Sequence, residues 1–534
     1  MHFYSKSKKD STDLEETYNS ISRVNKIPKG SLLYVEIEFK SLKIWAFSVP
    51  ESMAMDLSNA LSSYITLRDP VTKSITNNCR AFEFILPFDS KEDGWLVYNQ
   101  RKDIERMFLP LEKDKLMWTI CEANKDWKLC SSYPRLLVLP SKFDMNLLNE
   151  AANYRDEGRF PALSWIHPKN YATITRCSQP LPGRLGNKRC ETDEALIKAI
   201  FQANPSVNLS ENKILDARPF SNAIANRAKG AGYENSELYC NVSIEFLDIE
   251  NIHQMRESLE KLRKLCYSCS PTETAWFSKL ESTSWYSHVS AVLKGAIKLA
   301  TFVDQGRSSV LHCSHGWDRT AQISAIAQLL LDPHYRTLVG FQQLIEKEWI
   351  SFGHKSQDRG AHLIVLDSNP SPSLKEEESP IFLQFIDCVY QLIHQFPTEF
   401  GFTEDLLRTV IEHFYSCQFG TFLVNSEQEQ HLLHLRQKTV SLWTYVNHPS
   451  NFNRFQNPFF RFAKHFGPNG STFLHASSTL DQMVFWSELY NGPERIRSER
   501  KMAKIVQAMW EANDQIEKLK MENEALKREI KQVK

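Results

Sequence analysis

Apolar and polar positions divide the chain into three stretches of different rhythm. Over 31–39 and 42–47, two runs rich in Val, Ile, Tyr, Phe and Trp flank a short polar break and predict two strands. Over 52–67, Met53, Leu57, Leu61 and Tyr64 recur at helical spacing. Strands closed by a helix predict a small β-rich barrel or sandwich module over 1–110. From 115 to 490 helical patterns alternate with short β runs, which predicts a large α/β domain with a central sheet flanked by helices. A turn-rich, charged segment at 367–380 reads as a surface loop within it.

The last stretch, 500–534, has another period. Met502, Ile505, Met509, Ala512, Ile516, Leu519, Asn523, Leu526, Ile530 and Val533 alternate three and four residues apart, with charged flanks and no Gly or Pro. This is the a/d seam of a coiled coil, and an Asn at an a position favours two strands in one register. The tail therefore predicts self-association or pairing with a related chain.

Composition narrows the function. The 534 residues allow about three to four domains. Lys plus Arg and Asp plus Glu both number 64, so the chain is formally neutral and is not expected to bind nucleic acid. With 42% hydrophobic residues it can fill large cores. It has no apolar run of membrane-spanning length and no secretory pattern at Met1-His2-Phe3-Tyr4, which predicts a cytoplasmic chain. The 11 cysteines include one C-x-x-C, Cys266 to Cys269, without the second pair that a zinc site needs. No metal or cofactor is expected.

The chemistry concentrates at 308–324. A β-rich run leads into His312-Cys313-Ser314-His315-Gly316-Trp317-Asp318-Arg319-Thr320, and a helical pattern follows. Strand, tight loop and helix aim successive N–H groups at an anion. A cysteine there can be held as thiolate, and an arginine at the rim can take two phosphate oxygens. Cys313 is the only cysteine with an arginine six positions on. The pattern fits phosphate-monoester hydrolysis through a cysteinyl-phosphate, with the Thr320 hydroxyl placed to hydrogen-bond the sulfur.

These residues resemble the signature loop of the myotubularin-related phosphoinositide phosphatases. The resemblance extends through Gly158-Arg159-Phe160-Pro161, Arg176-Cys177-Ser178-Gln179-Pro180, Asp216-Ala217-Arg218-Pro219, Asn226-Arg227-Ala228-Lys229-Gly230, Asn251-Ile252-His253 and Glu346–His354 to Tyr415-Ser416-Cys417-Gln418-Phe419-Gly420. It implies removal of the 3-phosphate from phosphatidylinositol 3-phosphate and phosphatidylinositol 3,5-bisphosphate without a metal. Carried over, Cys313 is the nucleophile and Arg319 the phosphate clamp. Asp318 protonates the leaving oxygen or orients the attacking water. Substrate contacts fall on Asn226, Arg227, Ala228, Lys229, Asn251, Ile252, Ser314, His315, Gly316 and Trp317. A second basic pair, Lys355 and Arg359, would grip phosphates on the inositol ring, with lysine where the family commonly has arginine. The resemblance also implies an N-terminal PH-GRAM-like module over 1–110, here matched without its first strands. The coiled-coil tail resembles a membrane-recruited, dimer-forming subgroup, which implies a peripheral place on endosomal or other endomembranes and a homodimer or a heterodimer with an inactive relative.

One departure bears on activity. Position 315, usually Asp in active members, is His315. It could assist anion binding, disturb the loop or point away from the ligand. A catalytically weak adaptor acting through the coiled coil is the alternative from another class. A protein tyrosine phosphatase would share the Cys and Arg but not Trp317-Asp318 or the inositol contacts.

Overall fold

The computed structural model describes residues 2–3, 14–15, 17–29, 32–50, 74–87, 92–205, 208–268, 271–363, 376–460 and 473–491. The helix expected over 52–67, the coiled coil expected over 500–534, positions 367–375 of the expected loop, and Cys269 lie outside these residues.

The N-terminal strands are β1 (Ile21–Lys29), β2 (Leu32–Phe39) and β3 (Ile44–Pro50), antiparallel in that spatial order. The sequence reading found β2 and β3 but not β1, where Ser22, Arg23, Asn25 and Lys26 dilute the apolar signal. β1 is an edge strand, which is where its Pro28 is tolerated. Val35, Ile37 and Phe39 of β2 are buried on one face. Glu36 on the other is also buried and accepts a hydrogen bond from the Tyr267 hydroxyl. The sheet is tied to the remainder of the protein through Lys40 Nζ donating to the Ala361 carbonyl at 2.6 Å and a 2.6 Å Lys43–Glu412 ion pair.

Residues 80–87 and 92–110, grouped by their sequence with the N-terminal module, make contacts with the large domain. The Ala81 N–H donates to the Cys417 carbonyl, and the Gly94 N–H to Thr444 Oγ1 at 2.8 Å. The Trp95 indole donates to the Thr439 carbonyl, and Trp95 shares a buried cluster with Cys79, Leu423 and Leu435.

The large domain has β4 (Trp118–Cys121) paired antiparallel with β5 (Leu137–Pro140), and a five-stranded sheet. The sheet strands are β6 (Ala162–Ile166), β7 (Thr173–Cys177), β8 (Lys213–Asp216), β9 (Ser243–Phe246) and β10 (Ser309–His312). Their order is β9-β8-β10-β7-β6, all parallel except edge strand β6. Parallel strands covered on both faces read as continuous buried runs, as β7 and β10 do.

The main helices are α1 (Glu191–Gln202), α2 (Phe220–Arg227), α3 (Ile252–Ser268), α4 (Trp285–Asp304), α5 (Arg319–Leu331) and α6 (Ile381–Gln395). Helix α5 is buried along its whole length. Two of its buried amides donate within the protein: Gln322 to the Ile381 carbonyl and Gln328 to Ser164 Oγ. Buried amides so paired avoid the desolvation cost of an unmet hydrogen bond. The register pairs His312 with both Asp216 and Cys177, so the carboxyl ends of three neighbouring strands meet at the entrance to α5. That is where ligands bind in sheets of this kind.

Candidate active site

The loop from Cys313 to Asp318 joins central strand β10 to the N-terminus of α5. Cys313 is buried, and the Gly316 N–H points at its sulfur, 3.3 Å away. Gly316 has φ +77°, and a Cβ there would stand 2.3 Å from the Cys177 carbonyl oxygen. No side chain fits, so the loop keeps a glycine where the N–H must turn inward. The Gly316 carbonyl points outward and is held by two buried guanidiniums, Arg159 at 3.0 Å and Arg176 at 2.8 Å. Arg176 is neutralised by Glu348 at 2.8 Å.

Burial alone would raise the Cys313 thiol. The Arg319 charge beside it, the Thr320 hydroxyl and the Thr320 N–H outweigh burial and hold it below the ordinary thiol value. The Thr320 hydroxyl is buried and makes no other hydrogen bond. Among the described residues Arg319 donates only to neutral groups, the Ile249 carbonyl at 3.0 Å and Ser314 Oγ at 3.4 Å. The Asp318 carboxylate opposes part of its effect on the sulfur, but the Arg319 charge is the larger influence, and no carboxylate is hydrogen-bonded to the guanidinium among the described residues.

Behind the loop, His312 is fully buried with Nε2 3.0 Å from Glu234, at an angle that is not a hydrogen bond. Burial lowers the imidazole, but the Glu234 carboxylate more than reverses this and raises it above its ordinary value. Glu234 also accepts from Arg155 at 2.6 Å, and Arg155 pairs with Asp193 at 2.6 Å. Arg218 forks onto Asp216 and donates to the Gln179 amide oxygen.

Asp318 precedes the clamp arginine. Arg359 grips both its oxygens at 3.0 Å, and His354 Nδ1 lies 3.4 Å away. Burial would raise the Asp318 carboxyl, but the Arg359 and His354 contacts hold it below the usual carboxylate range. Arg359 is itself buried, and its other nitrogen meets the Glu377 side chain at 2.6 Å. The expected phosphate contact is thus occupied on two sides by carboxylates. Lys355 lies over the Trp317 ring, 4.7 Å from its centre.

The remaining expected contacts surround this loop. Asn226 donates to Gln179 at 3.1 Å and to Ser314 Oγ at 3.5 Å. Arg227 stacks over Tyr233, and Ala228 and Lys229 are exposed. Asn251 caps α3, accepting from the His253 and Gln254 N–H groups, and the Ile252 carbonyl accepts from Ser379. His315 is stacked on Trp317 with its Nε2 3.7 Å from Asp156. Burial lowers the His315 imidazole, and Asp156 opposes this only in part. Its ring lies along Trp317 toward Asp156. Sequence reasoning assigned no role to Gln179, His354, Glu234, Arg159 or Arg176; the signal available was buried-type neighbours around Arg159 and Arg176.

A buried cysteine whose thiol is lowered by a nearby guanidinium, in a loop between the central strand and a buried helix, is an arrangement suited to attack on a phosphate. Among the described residues no cluster of metal-ligating side chains occurs. Residues 80–431 match the family described as the myotubularin-like phosphatase domain. The chain is 43% identical over 417 residues to phosphatidylinositol-3,5-bisphosphate 3-phosphatase MTMR2 of Bos taurus, covering 78% of this chain and 61% of that protein. It is 47% identical over 370 residues to myotubularin of Xenopus laevis, covering 69% and 59%. The chain spans about three-fifths of the length of these relatives. It belongs to the myotubularin-related family.

Proposed function

We propose that this chain is a phosphoinositide phosphatase that removes the 3-phosphate from phosphatidylinositol 3-phosphate and phosphatidylinositol 3,5-bisphosphate. The observation that carries this is the loop from Cys313 to Arg319, with the Gly316 N–H on the buried sulfur and Arg319 hydrogen-bonded to a carbonyl and a hydroxyl. The name of the relatives, phosphatidylinositol-3,5-bisphosphate 3-phosphatase MTMR2, supports the substrate. The Cys313 thiolate attacks phosphorus. The bond to the inositol oxygen breaks, and the proton carried by the phosphate monoanion passes to that oxygen. Water then attacks the thiophosphate, releasing dihydrogen phosphate and the thiolate. Arg319 and the inward N–H groups hold the equatorial oxygens through both steps. Asp318, ionised by its Arg359 contact, is better suited to orient the water than to donate a proton.

Asn226, Arg227, Ala228, Lys229, Asn251, Ile252, Ser314, His315, Gly316, Trp317, Lys355 and Arg359 form the proposed headgroup surface. We assign a PH-GRAM-like role to the β-rich N-terminal module and a dimerising coiled coil to 500–534. Both fit a peripheral enzyme of endosomal membranes, and no helix among the described residues is long and apolar enough to cross one.

The test is phosphate release from short-chain phosphatidylinositol 3-phosphate beside its 4-phosphate isomer, with Cys313→Ser as control. Release from the 3-phosphate only, lost in the variant, is expected. No release by folded protein contradicts the proposal.

A further inference from the structure

Helix α2 carries its apolar residues on the wrong side for a soluble protein. Ala223 faces inward and is buried, and Asn226 reaches the Cys313 loop through Ser314. Phe220 and Ile224, one turn apart, are 48% and 46% exposed. A surface helix ordinarily presents charged residues there. Phe220 is not a stray ring: it meets Tyr233 and Phe246 at 5.8 and 5.0 Å, so an aromatic cluster supports it.

A second apolar tip stands beside it. The turn 183–186 is held against the end of α2 by the Gly183 N–H donating to the Gly230 carbonyl, and Pro182 packs close to Gly232. At its apex Leu185 is 87% exposed. Cations surround both tips: Arg184 and Lys188 on the turn, Arg227 and Lys229 after the helix, all exposed. The nearby Arg189 forks onto Glu194.

We infer that Leu185, Phe220 and Ile224 form a wedge that inserts into an anionic lipid surface, with Arg184, Lys188, Arg227 and Lys229 resting on the headgroups. Apolar tips ringed by cations match a bilayer, which offers acyl chains beneath a negative surface. Geometry favours the same occupant. The inner face of α2 touches the catalytic loop while its outer face carries the wedge, and a helix with side chains is about 10 Å across. An interfacial element buries its apolar face roughly 5–10 Å deep. Seating the wedge therefore brings the Cys313 loop to headgroup level, where a membrane-borne inositol phosphate stands. This rests on the reading of the site as a phosphoinositide phosphatase.

The test uses the full chain and two readouts. The first is co-sedimentation with vesicles of phosphatidylcholine and phosphatidylserine free of phosphoinositide. The second is phosphate release from a short-chain, fully soluble substrate. Leu185→Asp and the pair Phe220→Ser with Ile224→Ser are each expected to weaken vesicle binding by about tenfold or more, from the apolar area no longer buried. Leu185→Phe should retain binding, since it keeps the apolar tip. Soluble-substrate turnover should stay unchanged in all of them. Vesicle binding unaffected by the wedge variants overturns the inference and leaves the apolar face to a protein partner. Equal losses for Leu185→Asp and Leu185→Phe also overturn it, because apolarity would then not be the cause. Failure of the parent protein on the soluble substrate would instead overturn the proposed function.

Discussion

Two cysteines end neighbouring strands of the same sheet and meet opposite fates. Cys177 closes β7, and Cys313 follows the last residue of β10, whose register partner is Cys177 itself. They are 1% and 2% exposed, so burial does not separate them. Each has an arginine close by. Burial pushes the Cys177 thiol far up, and Arg155, 3.7 Å from its sulfur, does not bring it back. Arg155 is already matched by Asp193 and Glu234. Among the described residues Arg319 donates only to a carbonyl and a hydroxyl, and the Cys313 thiol falls despite the opposing Asp318 carboxylate. A guanidinium activates a buried sulfur when no carboxylate is hydrogen-bonded to it; proximity is not enough.

Removing the Arg319 charge should erase the difference. Arg319→Ala is expected to reduce phosphate release by roughly 10³-fold or more. It should also raise the alkylation midpoint of Cys313 toward that of an ordinary buried thiol. Steady-state kinetics and alkylation against pH read the two effects separately. Arg319→Lys should recover part of the thiol shift but little of the rate, since the bidentate fork is lost.

The converse change should make Cys177 more like Cys313. Glu234→Gln frees part of the Arg155 charge and leaves His312 without its counterion. Breaking such a buried network costs about 3 kcal/mol, readable by denaturant unfolding. Mass-spectrometric labelling should then find Cys177 more reactive; an inert Cys177 in a folded variant would contradict the reading of Arg155.

Thr320→Val tests a smaller contribution. The N–H is kept and the hydroxyl removed, so the thiolate loses one hydrogen bond to a charged acceptor. A roughly tenfold fall in turnover is expected, with substrate KM little changed. The smallest effect belongs to Glu377→Gln. Its half-exposed carboxylate competes for Arg359, so neutralising it should favour the doubly phosphorylated headgroup over the monophosphate by a few-fold at most, as about 0.2–1 kcal/mol for an exposed pair implies. Comparison of kcat/KM on the two lipids reads it.

The chemistry of the loop was legible because its parts are consecutive: strand, Cys313, Gly316, Arg319 and helix lie within one short run. The supporting shell was not. Glu234, Arg155 and His312 come from three distant segments, as do Asp318, Arg359 and Glu377, and only folding brings them together. Arg159, Arg176 and Arg218 showed in the sequence only as residues within family segments. Their buried positions, on the Gly316 carbonyl and on Asp216, explain why those segments accompany the loop. Among the strands, β2 was visible from its run of β-formers, Leu32–Val35 with Ile37 and Phe39, whereas β1 was hidden by its polar residues. The contacts of Ala81, Gly94 and Trp95 with Cys417, Thr444 and Thr439 were not legible, because sequence proximity says nothing of them.

The central claim is that the Cys313 thiol is held below its ordinary value because Arg319 stands near it with no carboxylate hydrogen-bonded to its guanidinium among the described residues. The most direct measurement is the rate of iodoacetamide alkylation of each cysteine against pH, followed by mass spectrometry on the full chain. A midpoint for Cys313 well below the ordinary thiol value of about 8.5, with Cys177 unmodified throughout, is the expected result. A Cys313 midpoint at or above that value would contradict it.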